Sequence, residues 1–166
     1  MSTALAPAKE AALQHKKIDE LENIIFNSGQ AILDLPLVHR FTKGMYIREI
    51  FMPAGITLTT RIHKTQHPFV LLSGTVSVYI PEGGAVTLTG PHVGITESGT
   101  RRVLYMHTDA RWITFHVNED DETDPDVIVE RVTDHPGLPE GIETRAQYLD
   151  VVESSLQPQL DYGGAP

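Results

Sequence analysis

Between residues 45 and 117 of this 166-residue chain, apolar side chains recur at every second position, in runs too short for helices and bounded by turn residues. The runs fall at 45–52, 56–62, 69–72, 75–80, 85–89, 93–96, 102–107 and 111–117. Pro53-Ala54-Gly55 and Pro81-Glu82-Gly83-Gly84 separate some of them, and the glycine pair suits the positive φ of a hairpin turn. So many short strands with regular turn signals predict an all-β sandwich or barrel. Within this series, 53–74 predicts two antiparallel strands whose junction presents His63 and His67 from opposite sides of a Lys64-Thr65-Gln66 turn.

The flanks have a different pattern. Residues 7–27 have helical spacing, with Leu13, Leu21, Ile24 and Ile25 on one broad face and Gly29 placed to cap the end. Residues 30–44 read as an irregular lead-in, broken by Pro36 and containing His39 and Arg40. The stretch 118–126 holds six acids. Asp124-Pro125 reads as an N-cap with proline at the first helical position, opening a short helix over 126–132. The acids suit a helix N-terminus, and their spacing lacks the glycine and terminal glutamate of a calcium loop. A Pro/Gly linker at 134–139, a second amphipathic stretch at 144–155 and a Pro/Gly tail from 157 form an arm too small to make a core alone. The organisation expected is therefore 1–44 helix and lead-in, 45–117 barrel, 118–133 acidic segment and short helix, 134–166 arm.

Charge is unevenly distributed. The net charge is -9, yet 39–117 has eight Lys or Arg against four acids and six of the eight histidines. A basic centre between acidic ends suggests an anion-accepting core, or acidic arms docking on a basic neighbour. With no cysteine there can be no disulfide, thiolate metal site or cysteine nucleophile. No apolar run reaches the roughly 20 residues of a membrane helix, and the Ala-rich start soon becomes charged, unlike a signal peptide. The expectation is a chain neither secreted by a signal peptide nor spanning a membrane by a helix. Nucleic acid is not expected as a partner, because the basic residues are spread over strands and the acidic pI of about 5.2 opposes it.

Residues 45–117 resemble a cupin, the double-sheet jelly-roll barrel built around two linked motifs. Pro53-x-Gly55 resembles the start of the first motif, and His67 to Gly74 has its glutamate-to-glycine spacing; Glu97-Ser98-Gly99 stands where the second motif has its turn. Tyr46-x-Arg48, His63-Lys64-Thr65-x-His67, Gly99-x-x-Arg102, Tyr105 and Trp112 resemble small cupin-like proteins encoded by tailed bacteriophages.

The resemblance implies a barrel whose interior positions for metal ligands, usually three histidines and a glutamate, are Arg61, His63, His67 and Arg102. Two guanidiniums in this set have no lone pair for a metal. His63 and His67 alone are too few for a divalent metal unless another histidine (His39, His92, His107 or His116) completes the set. The expectation is thus no cofactor, with a divalent metal as the alternative. Arg61, His63, His67 and Arg102 become candidates for a basic ligand pocket that takes a small anion. No catalytic residue is assigned, because no acid–base dyad stands out and Glu49 reads as the partner of Arg48. The resemblance and the two arms imply a non-enzymatic phage protein. It would be a virion structural or assembly component forming homo-oligomers, or contacting other virion proteins, through the N-terminal helix and C-terminal arm. A cupin enzyme or binding protein for an anionic sugar or nucleotide is the alternative, either metal-free and epimerase-like or metal-dependent with an unusual histidine set. Purely structural roles remain open too: turn-fixing histidines, and Arg61 and Arg102 paired with the acidic flanks.

Overall fold

A computed structural model describes residues 5–29, 35–79 and 84–134. In chain order the elements are α1 (Leu5–Asn27), β1 (Leu37–Thr42), β2 (Gly44–Met52), β3 (Thr57–Thr59), β4 (Ile62–His63), β5 (His67–Ser73), β6 (Thr75–Tyr79), β7 (Ala85–Thr89), β8 (His92–Thr96), β9 (Val103–Met106), β10 (Ala110–Asn118), α2 (Pro125–Val132) and β11 (Thr133–Asp134). Two antiparallel sheets face each other, one ordered β1-β2-β10-β5-β8 and the other β3-β9-β6-β7, with β11 and β4 paired separately. Alternate side chains of each strand enter the space between the sheets. Met52, Phe69, Leu71, Val76, Leu104, Met106 and Trp112 form the core there, and Phe69 stacks on Trp112 with centroids 4.3 Å apart. This is the all-β double-sheet architecture that the alternation implies, a jelly roll with a helix before it.

Two glycines hold the barrel tight. Gly74 turns β5 into β6 at φ 96°, where a Cβ would collide with the Asp109 carbonyl and Ala110. Gly94 faces Phe69 across the β5–β8 pair, and a Cβ there would strike the ring.

Differences from the sequence-based expectation arise where pairing crosses the fold. The segment after Pro36 is not irregular: Leu37–Thr42 is an edge strand in register with β2, from Leu37↔Ile50 to Thr42↔Met45. Nearly every residue in it is exposed, so period-two alternation leaves no trace there. The 53–74 stretch is not a simple hairpin either. β3 pairs with β9 in the smaller sheet, β5 pairs with β10 and β8 in the larger, and β4 between them pairs with β11. The chain therefore passes from one sheet to the other at His63–His67. Glu49 points away from the interior. Its partners are Arg40 on β1 at 2.7 Å and Arg111 on β10, rather than neighbouring Arg48.

The helices are attached by specific bonds. Asp124 caps α2 by accepting from the Asp126 amide at 3.0 Å, and Pro125 stands in the first turn as expected. Ile128 and Val132 of α2 bury against Tyr46. α1 is latched by Arg101, whose guanidinium is fully buried. It donates to the His15 and Thr60 carbonyls and to Asp19 at 2.6 Å, and lies 2.9 Å from Glu22 without hydrogen-bond alignment. Among the described residues no helix is long and apolar enough to cross a membrane. The expected helix over 144–155, the tail and the arm lie outside the described residues.

Candidate functional site

Along the strands the interior changes character. On β10 the inward side chains run Ala110, Trp112, Thr114, His116, Asn118; on β5 they run Leu71, Phe69, His67; on β2 they run Met52, Ile50, Arg48, Tyr46. Antiparallel register aligns these series, with Trp112 beside Leu71 and Ile50, Thr114 beside Phe69 and Arg48, and His116 beside Tyr46. One half of the barrel is consequently apolar and the other polar, with the Phe69–Trp112 stack at the boundary.

Three imidazoles meet in the polar half. The ring centroids of His63 and His67 are 4.6 Å apart, and those of His67 and His116 are 4.3 Å apart. Two paired turns hold the first two in place. Gly99 donates to the His63 carbonyl at 2.7 Å, Ser98 Oγ donates to the Lys64 carbonyl at 2.6 Å, and Gln66 donates to Glu97 at 2.7 Å. The two motif turns read from the sequence thus grip each other.

Hydrogen bonds fix two of the tautomers. His67 Nδ1 lies 3.1 Å from the Thr65 carbonyl, which can only accept, so Nδ1 carries the proton and Nε2 a lone pair. His116 Nε2 lies 3.1 Å from Thr114 Oγ1, whose own proton points to the Arg48 carbonyl; the lone pair is then on Nδ1. Among the described residues, His67 Nε2, His116 Nδ1 and His63 Nδ1 are all buried without a hydrogen-bond partner. Burial is the main cause holding the rings neutral, reinforced by neighbouring positive or ionisable groups. His63 is lowered to about 4 by burial, then His67, Arg102 and Arg48. His116 is lowered to about 3 by burial, then His67, His63 and Arg48. His67 is lowered by burial and Arg102, against the opposing Thr65 bond.

Arg102 supplies the charge. It is partly buried, donates to Thr96 Oγ1 at 3.3 Å and sits with Cζ 5.6 Å from the Phe69 ring centroid. Three of the four expected pocket residues, His63, His67 and Arg102, therefore come together. Arg61 has a different placement: its guanidinium is 3.5 Å from Glu130 of α2, as expected for pairing with the acidic flank. His116 and Arg48 join this interior cluster although spacing did not nominate them, because β10 and β2 are remote in sequence from the motifs and only register aligns them. Their inward alternation on long strands was the available signal.

Three imidazoles radiating from a tetrahedral ion bound at about 2.0–2.1 Å would have centroids about 5 Å apart. Here the rings are closer and tilted against one another, and among the described residues no three His, Asp or Glu side chains converge to hold an ion. The Arg102 cation occupies one side. The arrangement does not fit a metal centre.

Glu49 lies outside on Arg40 and Arg111, Glu97 pairs with Gln66, and Asp109 accepts from the Ala54 amide. None of these three bonds a pocket histidine.

No family model matches the chain, and no curated protein does. Among solved structures, a Neisseria meningitidis protein shares 9% identity over 53% of this chain and 90% of its own, at a TM-score of 0.43. The Clostridium difficile EutQ protein shares 16% over 52% and 69%, at 0.43. A cupin-2 domain protein from Shewanella frigidimarina shares 10% over 56% and 92%, at 0.41. The fold description stands on the sheet order and register of this chain itself.

Proposed function

We propose that this barrel is a binding protein for a small anion that also carries hydroxyl groups, such as a sugar acid or sugar phosphate. The observation behind this reading is the set of three unpartnered imidazole nitrogens beside Arg102. The lone pairs of neutral His67 and His116 accept hydrogen bonds, so they repel bare anionic oxygens and suit hydroxyl donors. A guanidinium takes the carboxylate or phosphate. A buried polar atom without a partner costs about 1–3 kcal/mol, so three in one place point to a ligand that satisfies them. Binding is favoured over turnover because no carboxylate pairs with a histidine to form an acid–base dyad among the residues described. A virion structural role, for which the phage resemblance and two arms speak, is compatible with such a pocket; it would be tested by looking for the chain in purified particles.

The experiment is a thermal-shift and calorimetric series with gluconate, glucose 6-phosphate, glucose and inorganic phosphate. A ligand bound to the folded state must raise the apparent stability. The hydroxylated anions should shift the transition more than glucose or phosphate, and both Arg102→Ala and His67→Phe should remove the shift. Equal shifts from phosphate and the sugar anions, or shifts that survive both substitutions, would refute the reading.

A further inference from the structure

The two sheets differ on their outer faces as well. Outside the smaller sheet the side chains are hydroxyl-rich: Thr75 meets Thr89 at 3.3 Å, and Ser77 meets Thr87 at 3.3 Å and His107 at 2.7 Å. Outside the larger sheet they are mostly apolar, with Glu49, Arg40 and Arg111 as an ion-paired group among them. Register places Val93, Val70, Ile113, Glu49 and Val38 in one row across all five strands. Glu49 is the polar member of that row. Around it Ile95, Phe51, Leu72 and Met45 are exposed, and Val93 and Val117 are 70% and 72% exposed. Half of the large apolar side chains exposed among the described residues lie on this one face.

We propose that this face is the interface of a two-fold dimer, each copy covering the other's five-stranded sheet. The face fits that occupant in area. Five strands about 4.8 Å apart, five to nine residues long at about 3.3 Å each, present roughly 550 Å² in projection. Two such faces reach the roughly 1,000 Å² or more of total burial that a specific interface needs. The charge permits it as well. Glu49 is already held between Arg40 and Arg111, so covering it leaves no uncompensated carboxylate, and both guanidiniums are about half exposed at its edges. A twisted, β-branched face is best matched by another such face, packed at about −30°, and an identical copy supplies one.

Light scattering of the full chain from 1 to 100 µM is the first test; twice the mass of the 18.4 kDa chain is expected. Val93→Asp and Val117→Asp should each weaken the dimer at least 100-fold, while Thr87→Asp on the other sheet should leave it intact. Because the chain has no cysteine, thiol labelling of Ile95→Cys gives a second readout: labelling should be slow when dimeric and fast on dilution. A wild type that is monomeric throughout overturns the proposal. Slow labelling in that monomer would assign the cover to residues 135–166, and fast labelling would leave the face bare. A dimer indifferent to both Asp substitutions would place the interface elsewhere and overturn it equally.

Discussion

At one end of the barrel interior, Met52, Leu71, Val76 and Met106 are buried in an apolar cluster; at the other, His63, His67 and His116 bury ring nitrogens that find no hydrogen-bond partner among the described residues. The same strands build both ends, and the same alternation points both sets inward. They differ in what burial does. For the aliphatic end, removal from water stabilises the fold at about 25 cal/mol per Å². For the imidazole end it costs free energy unless a ligand supplies partners. The contrast separates a part of the interior that maintains the fold from a part that the fold maintains.

Leu71→Ala should show the largest effect. Leu71 is wholly buried at the apolar end, so the substitution should cost about 2–5 kcal/mol in urea unfolding, with little change in ligand affinity beyond the loss of folded protein. A loss below 1 kcal/mol would mean that this end is not packed as described.

Acid should act on the other end. An unfolded histidine titrates near 6.5, while folded His63 and His116 are depressed to about 4 and about 3. The unfolded state therefore binds protons first as pH falls. The stability is fully present above about 6.5 and is lost progressively towards 3–4, with about 2 kcal/mol gone per histidine by pH 4.5. Urea midpoints measured from pH 7 to 4.5 should show this slope. His63→Gln and His116→Gln should each flatten it, and an unchanged slope in both would contradict the burial of the rings.

His116→Leu should sharpen the comparison further. Removing an unpartnered buried nitrogen for an aliphatic group of similar size should leave stability unchanged or raise it by about 1 kcal/mol, while weakening the ligand-induced thermal shift. Destabilisation beyond 2 kcal/mol would show that His116 is structural. The smallest effect is expected outside the barrel. Thr87→Val, on the hydroxyl-rich face of the smaller sheet, should change stability by less than about 0.5 kcal/mol in the same urea series.

Legibility in the sequence followed the range of the interactions. The strands from β2 to β10 were readable because alternation is local, and the α2 cap because Asp124 and Pro125 sit next to each other. β1 was not readable, since an exposed edge strand after Pro36 has no buried face to leave a pattern. His63, His67 and Arg102 were found from motif spacing. Arg61 shows an interaction that spacing did not specify, since its pairing with Glu130 depends on where α2 packs. His116 and Arg48 needed the β2–β10 register, which joins residues far apart in the chain.

The sequence by itself determined the fold class, the two motif turns and a basic, histidine-rich centre, because each follows from residues within a few positions of one another. Tertiary structure decided that Glu49 serves two arginines on the outer face, that three histidines cluster inside the barrel, and which of their nitrogens lack a partner among the described residues. Those outcomes depend on which strands pair and in what register. Pairing is settled by burial across the whole barrel, and no local stretch encodes it.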